Sequence, residues 1–382
     1  MKINKKKIFV PKRRERIKKG PKFRVKKRAI KKIYKCLFLF VLIGLFLFLL
    51  YFNRQKRKKE KENLLNDKDE ESISHLFNYS LKYEEFDEKI NKKYIQFQNK
   101  FCERQNDSLI PEFEKRIILA SADYYGKKFD MFVHNGRDYV SQSILYSHNW
   151  EGHLVLKLLE GLEYYVNKTK LEKKDIYVLD IGGNVGFYSF FLGKFGYKVL
   201  TFEASDINNY ILYKNYCLNK DVNVTIINKG VDKDDRNCIL RTASHNVGNG
   251  MIFCENREKN DSEFNGEIFN IEITKFSRYI KFLSNKNLAV IKIDVEGAEG
   301  NVIESGKELI TKYHIPFIMT EFEVRMLEAH KTKVLEFLQF FENNGYKIGL
   351  NDFFDHKKES PLELIKNKNI LNLFCVYEKF LE

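Results

Sequence analysis

The run Val178 to Phe187, V-L-D-I-G-G-N-V-G-F, leaves this chain few folds to choose from. An apolar stretch carrying Asp180 turns through Gly182, Gly183 and Gly186 into the helical stretch Tyr188 to Phe195. That is the form of a nucleotide-binding strand, tight glycine turn and helix. The spacing D-x-G-x-x-x-G lacks the G-x-G-x-x-G that lays a pyrophosphate against a helix N-terminus, and it sets a carboxylate at the strand end instead. Such a turn suits a cationic ligand with an amino-acid tail, above all S-adenosylmethionine. The plainer alternative is a glycine turn that only joins a strand to a helix.

Acids recur where later strands should end. Lys198 to Phe202 reads as a second strand, closed by Glu203 at 23 positions after Asp180, near the offset at which an acid takes ribose hydroxyls in nucleotide folds. A third strand, Val222 to Ile227, ends in Asn228-Lys229-Gly230, where the turn backbone would edge an adenine ring. Leu288 to Ile293 is apolar apart from Lys292 and opens into Asp294-Val295-Glu296-Gly297-Ala298-Glu299. Glu296 and Glu299 also suit a helix start, where the dipole favours acids. A fifth strand, Ile315 to Thr320, ends in Glu321-Phe322-Glu323. All of these acids fall at carboxyl ends of expected parallel strands, the rim at which open α/β sheets bind ligands.

These residues resemble the FkbM-type S-adenosylmethionine-dependent methyltransferases. The resemblance rests on V-L-D-I-G-G-N-V-G-F-Y-S at 178–189, F-E-A-S at 202–205 with Asn215 and Leu218-Asn219, and above all I-K-I-D-V-E-G-A-E at 291–299. It covers about residues 135 to 380 and departs from the family's more usual F-E-P-N at Ala204-Ser205. It implies an α/β class I methyltransferase (Rossmann-like) fold and methyl transfer, usually to a hydroxyl oxygen of sugars or polyketides. On this reading the sheet has seven mostly parallel strands with helices on both faces, and Tyr346 to Leu350 and Leu373 to Tyr377 supply its last, antiparallel pair. The expected cofactor-binding set is Asp180, Gly182, Gly183, Asn184, Gly186, Phe187, Glu203, Ala204 and Gly230. Asp294 is the first candidate base, followed by Glu321 and Glu296. Three carboxylates together also admit a divalent ion, but no metal is assigned.

The net charge of +15 invites a nucleic-acid partner, yet its distribution argues against one. Through Lys35 there are 18 Lys and Arg against the single Glu15, so the tail carries +17 and the remainder sums to about −2. Clustered Lys and Arg supply most sequence-independent affinity for nucleic acid, and the enzyme portion has no such excess. An Asn or Asp-Pro-Pro-aromatic motif for a flipped base amine is also absent. No nucleic acid is expected as a partner; the acceptor is a glycan or other small hydroxylated molecule. A scaffold that keeps the fold without catalysis is the other class, disfavoured by its intact cofactor acids.

Cys36 to Phe52 is unbroken apolar sequence, C-L-F-L-F-V-L-I-G-L-F-L-F-L-L-Y-F, at the short end of the roughly 17 to 25 residues that span a bilayer. It ends without the small residues of a cleaved signal peptide, so it reads as a single-pass anchor. Both flanks are basic, but the longer, denser run precedes the anchor and should stay cytosolic. The expected organisation is a cytosolic tail over 1–35, an anchor over 36–52, a polar stem over 53–115 and a methyltransferase domain over 116–382. The protein is thus expected to be a type II membrane protein of the endoplasmic reticulum or Golgi, with the catalytic domain luminal. N-x-S/T sequons at Asn78, Asn106, Asn167, Asn223 and Asn260 accord with this only slightly.

The remaining signals are few. The stem is dense in Lys, Glu, Asp and Asn, with helical pieces around Lys82 to Phe101. Asn149-Trp150-Glu151 precedes an amphipathic helix, His153 to Tyr165; the sole Trp either covers the cofactor, as often in the resembled family, or packs in the core. The six Cys, at 36, 102, 217, 238, 254 and 375, contain no C-x-x-C pair, which argues against a zinc site. Five of them would be luminal, permitting two disulfides and one spare thiol. His245 and His356 read as solvated loop residues.

Overall fold

The computed structural model describes residues 84–104, 111–243, 246–254, 266–355, 360–367 and 371–382. The basic tail, the anchor expected at Cys36 to Phe52 and most of the stem lie outside these residues, as do His245 and His356. Among the described residues no helix is long and apolar enough to cross a membrane.

The described chain opens with helices α1 (Glu88–Glu103) and α2 (Pro111–Glu114), then a hairpin of β1 (Ile117–Tyr124) and β2 (Lys127–His134). Tyr125 and Gly126 both have positive φ, 46° and 72°. Two such residues match the twist of a two-residue hairpin turn. Helices α3 (Tyr139–Ser147) and α4 (Gly152–Thr169) lead into β3 (Ile176–Ile181), α5 (Phe187–Lys194), β4 (Lys198–Phe202), α6 (Asp206–Leu218) and β5 (Asn223–Ile227). An inserted group of strands follows: β6 (Gly230–Asp232), β7 (Arg236–Ala243), β8 (Asn246–Phe253) and β9 (Gly266–Lys275). The alternation then resumes with α7 (Ser277–Leu283), β10 (Asn287–Ile293), α8 (Glu299–Thr311), β11 (Phe317–Glu321), α9 (Val324–Ala329), α10 (Val334–Asn343) and β12 (Tyr346–Gly349). Last come α11 (Pro361–Lys366), β13 (Asn372–Tyr377) and α12 (Glu378–Leu381).

Seven strands form one mixed sheet in the order β12-β13-β11-β10-β3-β4-β5. The five from β11 to β5 run parallel, while β13 pairs antiparallel with both β11 and β12. β3, β10 and β11 are buried along nearly their whole length, as strands covered on both faces must be, and this explains their continuous apolar sequences. From β3 the chain steps outward through β4 to β5, then returns to β10 on the other side of β3. The carboxyl ends of β3 and β10 therefore flank the point where strand order reverses, which is where such sheets open a crevice.

The polar stem expected to run through residue 115 ends earlier. Phe86, Ile90 and Tyr94 are buried in the main core, and a disulfide joins Cys102 of α1 to Cys217 of α6. The Lys-rich sequence of α1 hides a buried stripe that also contains Asn91 and Gln98. Gln98 stands in for a missing neighbour strand at the sheet edge: its Nε2 donates to the Val224 carbonyl at 2.9 Å and its Oε1 accepts from the Ile226 N–H at 2.8 Å. Asn215 and Asn219 of α6 play a similar part toward the hairpin. Asn215 pairs with both backbone groups of Phe132, and Asn219 Nδ2 donates to the Asp130 carbonyl at 2.9 Å.

The inserted strands form a separate four-stranded sheet, β6-β9-β7-β8. Its small core of Cys238, Leu240, Ile271 and Ile273 is cross-linked by the Cys238–Cys254 disulfide. Cys375 is a buried free thiol.

Replacing Gln98 by Leu keeps the side chain's bulk and removes both edge partners. Two buried backbone groups left unpaired should lower stability by about 2 to 5 kcal/mol, measurable by chemical denaturation. An unchanged midpoint would mean that the edge is satisfied by water.

Candidate active site

The turn after β3 is pinned from three sides. The N–H groups of Gly182 and Gly183 both donate to the Phe202 carbonyl, at 3.0 and 2.9 Å, and the Asp294 N–H donates to the Ile181 carbonyl at 3.0 Å. Gly182 has φ +88°, and a Cβ there would stand 1.7 Å from the Asp294 carbonyl oxygen. No other residue fits. Gly186 also has a positive φ, +93°, and its missing Cβ makes room for Leu212 and Phe190.

A pocket of about 180 Å³ opens against this turn. Among the residues expected to bind cofactor, Gly182, Gly183, Asn184, Phe187, Glu203, Ala204 and Gly230 line it, joined by Lys292, Asp294 and Glu296. Asp180 and Gly186 do not. Asp180 is 1% exposed beneath the turn, where it accepts from Ser189 Oγ at 2.6 Å and faces the Lys292 ammonium at 3.4 Å. It supports the turn from below and is not among the residues that line the pocket. Burial pushes its carboxyl up, against the pull of Lys292 and Ser189.

Glu203 is buried as well, not the open acid that its strand-end position suggests. Its two oxygens accept the Asn184 and Ser205 N–H groups, each at 2.7 Å. Burial raises its pKa, and these two bonds oppose the rise. Asn184, in the left-handed region at φ 48°, spends its side chain on the protein: Nδ2 donates to the Gly248 carbonyl at 3.0 Å and Oδ1 accepts from the Val185 N–H at 2.7 Å. Asn208 Nδ2 reaches the same carbonyl at 2.9 Å, and the Gly248 N–H donates to Asp138 at 3.1 Å. The inserted sheet thus roofs the pocket. Tyr139, Val140 and Trp150 line it from the N-terminal side, so Trp150 is a wall residue, one of the two roles open to it.

Acids gather at the other end. Asp294, Glu296 and Glu321 bring carboxylate oxygens within 4.8 Å of one another, the one such grouping with metal-like spacing among the described residues. Burial, then the negative charges of Asp294, Glu296 and Glu299, hold Glu321 well above the usual carboxylate range. Glu299 is 1% exposed and folds back on its own loop, accepting from the Val295 and Gly297 N–H groups at 2.9 and 3.2 Å. It ties together the loop that leads into α8; burial pushes its carboxyl up to about 7.

The residue least expected from sequence is Lys292. It is 3% exposed in an otherwise apolar strand, and its Nζ lies 2.8 Å from the Gly182 carbonyl and 3.3 Å from Asp294. Burial disfavours its charge, but Asp294, Asp180 and Glu151 outweigh that and hold its pKa above the ordinary value. Glu151, also missed, has φ 45° and accepts from Tyr188 Oη at 2.9 Å. A single cation inside a buried apolar run was the signal available for Lys292. Glu151 left none.

Residues 180–348 match the family model of the methyltransferase FkbM domain. No curated protein matches the chain. Its fold is similar to several solved methyltransferases at low identity. WbdD, described as a bifunctional kinase-methyltransferase, is 10% identical over 59% of this chain and 40% of its own, with a TM-score of 0.36. The Pyrococcus abyssi tRNA (uracil-54, C5)-methyltransferase, in complex with S-adenosyl-L-homocysteine, is 12% identical over 68% of this chain and 44% of its own, with a TM-score of 0.32. The plantazolicin methyltransferase BpumL in complex with SAH is 14% identical over 59% of this chain and 84% of its own, with a TM-score of 0.30. This chain therefore spans less than half the length of the first two.

A raised acid destabilises the folded state as it loses its proton, so the Glu299 contribution is absent below its unfolded pKa near 4.5 and grows unfavourable as pH rises to about 7. Glu299→Gln retains an oxygen for both N–H groups and removes this titration. The variant should gain stability relative to wild type between these pH values, by up to about 3 kcal/mol, and the gap should stay constant above. Thermal unfolding of both proteins across pH 4.5 to 8 measures it; a gap that does not change with pH would place the Glu299 pKa at its ordinary value.

Proposed function

We propose that this protein is a membrane-anchored S-adenosylmethionine-dependent O-methyltransferase acting on a glycan or other small hydroxylated acceptor. The observation that carries the reading is the meeting of the glycine turn with Asp294 and Glu296 at one pocket, with the Glu321 carboxylate grouped beside those two acids. The residues present fit the cofactor: close-approach glycines for an amino-acid tail, Glu203, Ala204 and Gly230 for a nucleoside, and a negative field for a cationic sulfur. S-adenosylmethionine supplies a methyl group on that sulfur.

The protein's part is to align and to accept a proton. Displacement at the methyl carbon is in line, so holding the acceptor oxygen at the rim accounts for much of the rate. Asp294 is the base. Its side chain is 35% exposed at the pocket and stands 3.3 Å from the Lys292 ammonium, which holds the carboxylate in place at the strand end. Glu321 is the poorer candidate, because its raised pKa keeps it protonated at neutral pH, leaving it suited to donate a hydrogen bond. Glu296, at the same rim, lines the acceptor side.

Two disulfides, Cys102–Cys217 and Cys238–Cys254, support maturation in an oxidising compartment. That agrees with a luminal domain behind the anchor at 36–52. Asn167 and Asn223 are exposed, as glycosylation there requires. A nucleic-acid acceptor has no specific observation in its favour.

The full-length chain in detergent should bind S-adenosylmethionine in calorimetry; absence of binding would favour the non-catalytic scaffold. Incubation with labelled cofactor and fractionated glycans, lipids and RNA then identifies the acceptor class. With that acceptor, Asp294→Asn should lower the single-turnover rate about a hundredfold to ten-thousandfold while cofactor affinity stays within a few fold. A near-wild-type rate would move the base to Glu296 or Glu321. For topology, a tag before Lys2 should be digested in sealed microsomes while the catalytic domain is protected, and digestion of the domain would reverse the orientation.

A further inference from the structure

Asp294 and a cationic sulfur are natural partners, and that is a difficulty for a base. A carboxylate paired with the sulfonium stabilises the bound ground state and is less available to the acceptor proton. Tighter binding of this kind lowers turnover rather than raising it. Lys292 stands where it can prevent the pairing. Its ammonium is 3.3 Å from Asp294, 3.4 Å from Asp180 and 2.8 Å from the Gly182 carbonyl, with the Tyr188 ring centroid at 5.2 Å. Glu151 lies behind Tyr188 through its hydrogen bond, so acids face the ammonium from β3, from its own strand and from the start of α4. Lys229, the other lysine lining the pocket, is committed to Glu272 at 3.0 Å.

We propose that Lys292 is a positioning residue for methyl transfer: it holds Asp294 at the strand end and neutralises it toward the cofactor sulfur, so that the carboxylate serves the acceptor instead of pairing with the sulfonium. This rests on the reading of S-adenosylmethionine as cofactor and Asp294 as base. The Gly182 contact adds a mechanical link, since the same ammonium grips the turn that borders the cofactor pocket.

The test compares a charged with a neutral ligand. S-adenosylmethionine carries the sulfonium and S-adenosylhomocysteine does not, so the ratio of their affinities reports the charge seen at sulfur and cancels any general loosening of the turn. In calorimetry on the full-length protein, Lys292→Met should raise that ratio in favour of S-adenosylmethionine by about threefold to fivefold, the upper part of the range expected for exposing one nearby opposite charge of modest strength. Adding Asp294→Asn to Lys292→Met should return the ratio to the wild-type value, whereas Asp294→Asn alone should change it less than about twofold. Because Lys292→Met leaves Asp180 buried without a cation, the pair Asp180→Asn with Lys292→Met serves as a second background with the same expected ratio. With the acceptor in hand, the Lys292 variants should show a lower KM for S-adenosylmethionine together with a lower kcat. An unchanged ratio in both backgrounds, or a raised KM at unchanged kcat, would reduce Lys292 to a structural strut. Wild type that binds neither ligand would overturn the cofactor reading, and this proposal with it.

Discussion

The close approach of two strand ends is the constraint on which the site depends. At Gly182 the backbone passes so near the Asp294 carbonyl that a methyl group has no place. Beneath that contact, Asp180 and Lys292 sit side by side in the sheet. An ionised pair in such a place is expensive to desolvate unless its remaining bonds are satisfied. Here Ser189 satisfies one oxygen of Asp180 and the other faces the ammonium at 3.4 Å, while the Gly182 carbonyl and Asp294 complete Lys292. The turn, the buried pair and the rim carboxylate are therefore one unit, and none can shift without leaving a charge or a backbone group unpaired.

Crowding of acids follows from that unit and sets the electrostatics of the pocket. Asp294, Glu296 and Glu321 bring their carboxylates together at the rim, and the buried Glu299 is close enough to act on Glu321. Different devices make this tolerable. Asp294 has a cation and solvent, Glu299 has two backbone N–H groups, and Glu321 retains its proton. A pocket held in this state is prepared for a positive ligand, because a cation entering it relieves repulsion instead of adding burial cost.

Legibility in the sequence followed local pattern. β3, β4, β5 and β10 were readable to within a residue or two because fully buried parallel strands are continuous apolar runs, and the glycine turn was readable because its spacing is backbone geometry. The inserted sheet was not, since β7 alternates buried and half-buried residues and its partners are fixed only by distant pairing. Helix α1 was legible as a helical piece within Lys82 to Phe101, but the lysines on its exposed face hid the stripe that docks it on the core. Asp180 and Glu203 were read correctly as strand-end acids, but sequence says nothing of what fills their hydrogen-bonding capacity. For both it is chiefly the protein itself. Asn215 and Asn219 were visible as part of the family resemblance, and only the hairpin packed against them explains why amides are needed there.

The matched segment, 180–348, contains the glycine turn and the acids yet does not enclose the whole site. Tyr139, Val140 and Trp150 form one wall of the pocket, and Glu151 backs Tyr188. The backbone of a single residue fastens these parts together. Gly248 donates to Asp138 and accepts from both Asn184 and Asn208, so the inserted sheet, the N-terminal segment, the turn and α6 meet at one residue. A Cβ at 248 would stand 2.5 Å from the Asp138 carboxylate, which fixes glycine at this position by space rather than by dihedral angle. Asn208 is held in turn by His134, Nε2 to Oδ1 at 2.7 Å, and His134 belongs to the N-terminal hairpin. The residues before Asp180 are thus structural participants in the pocket, and they help to shape its rim.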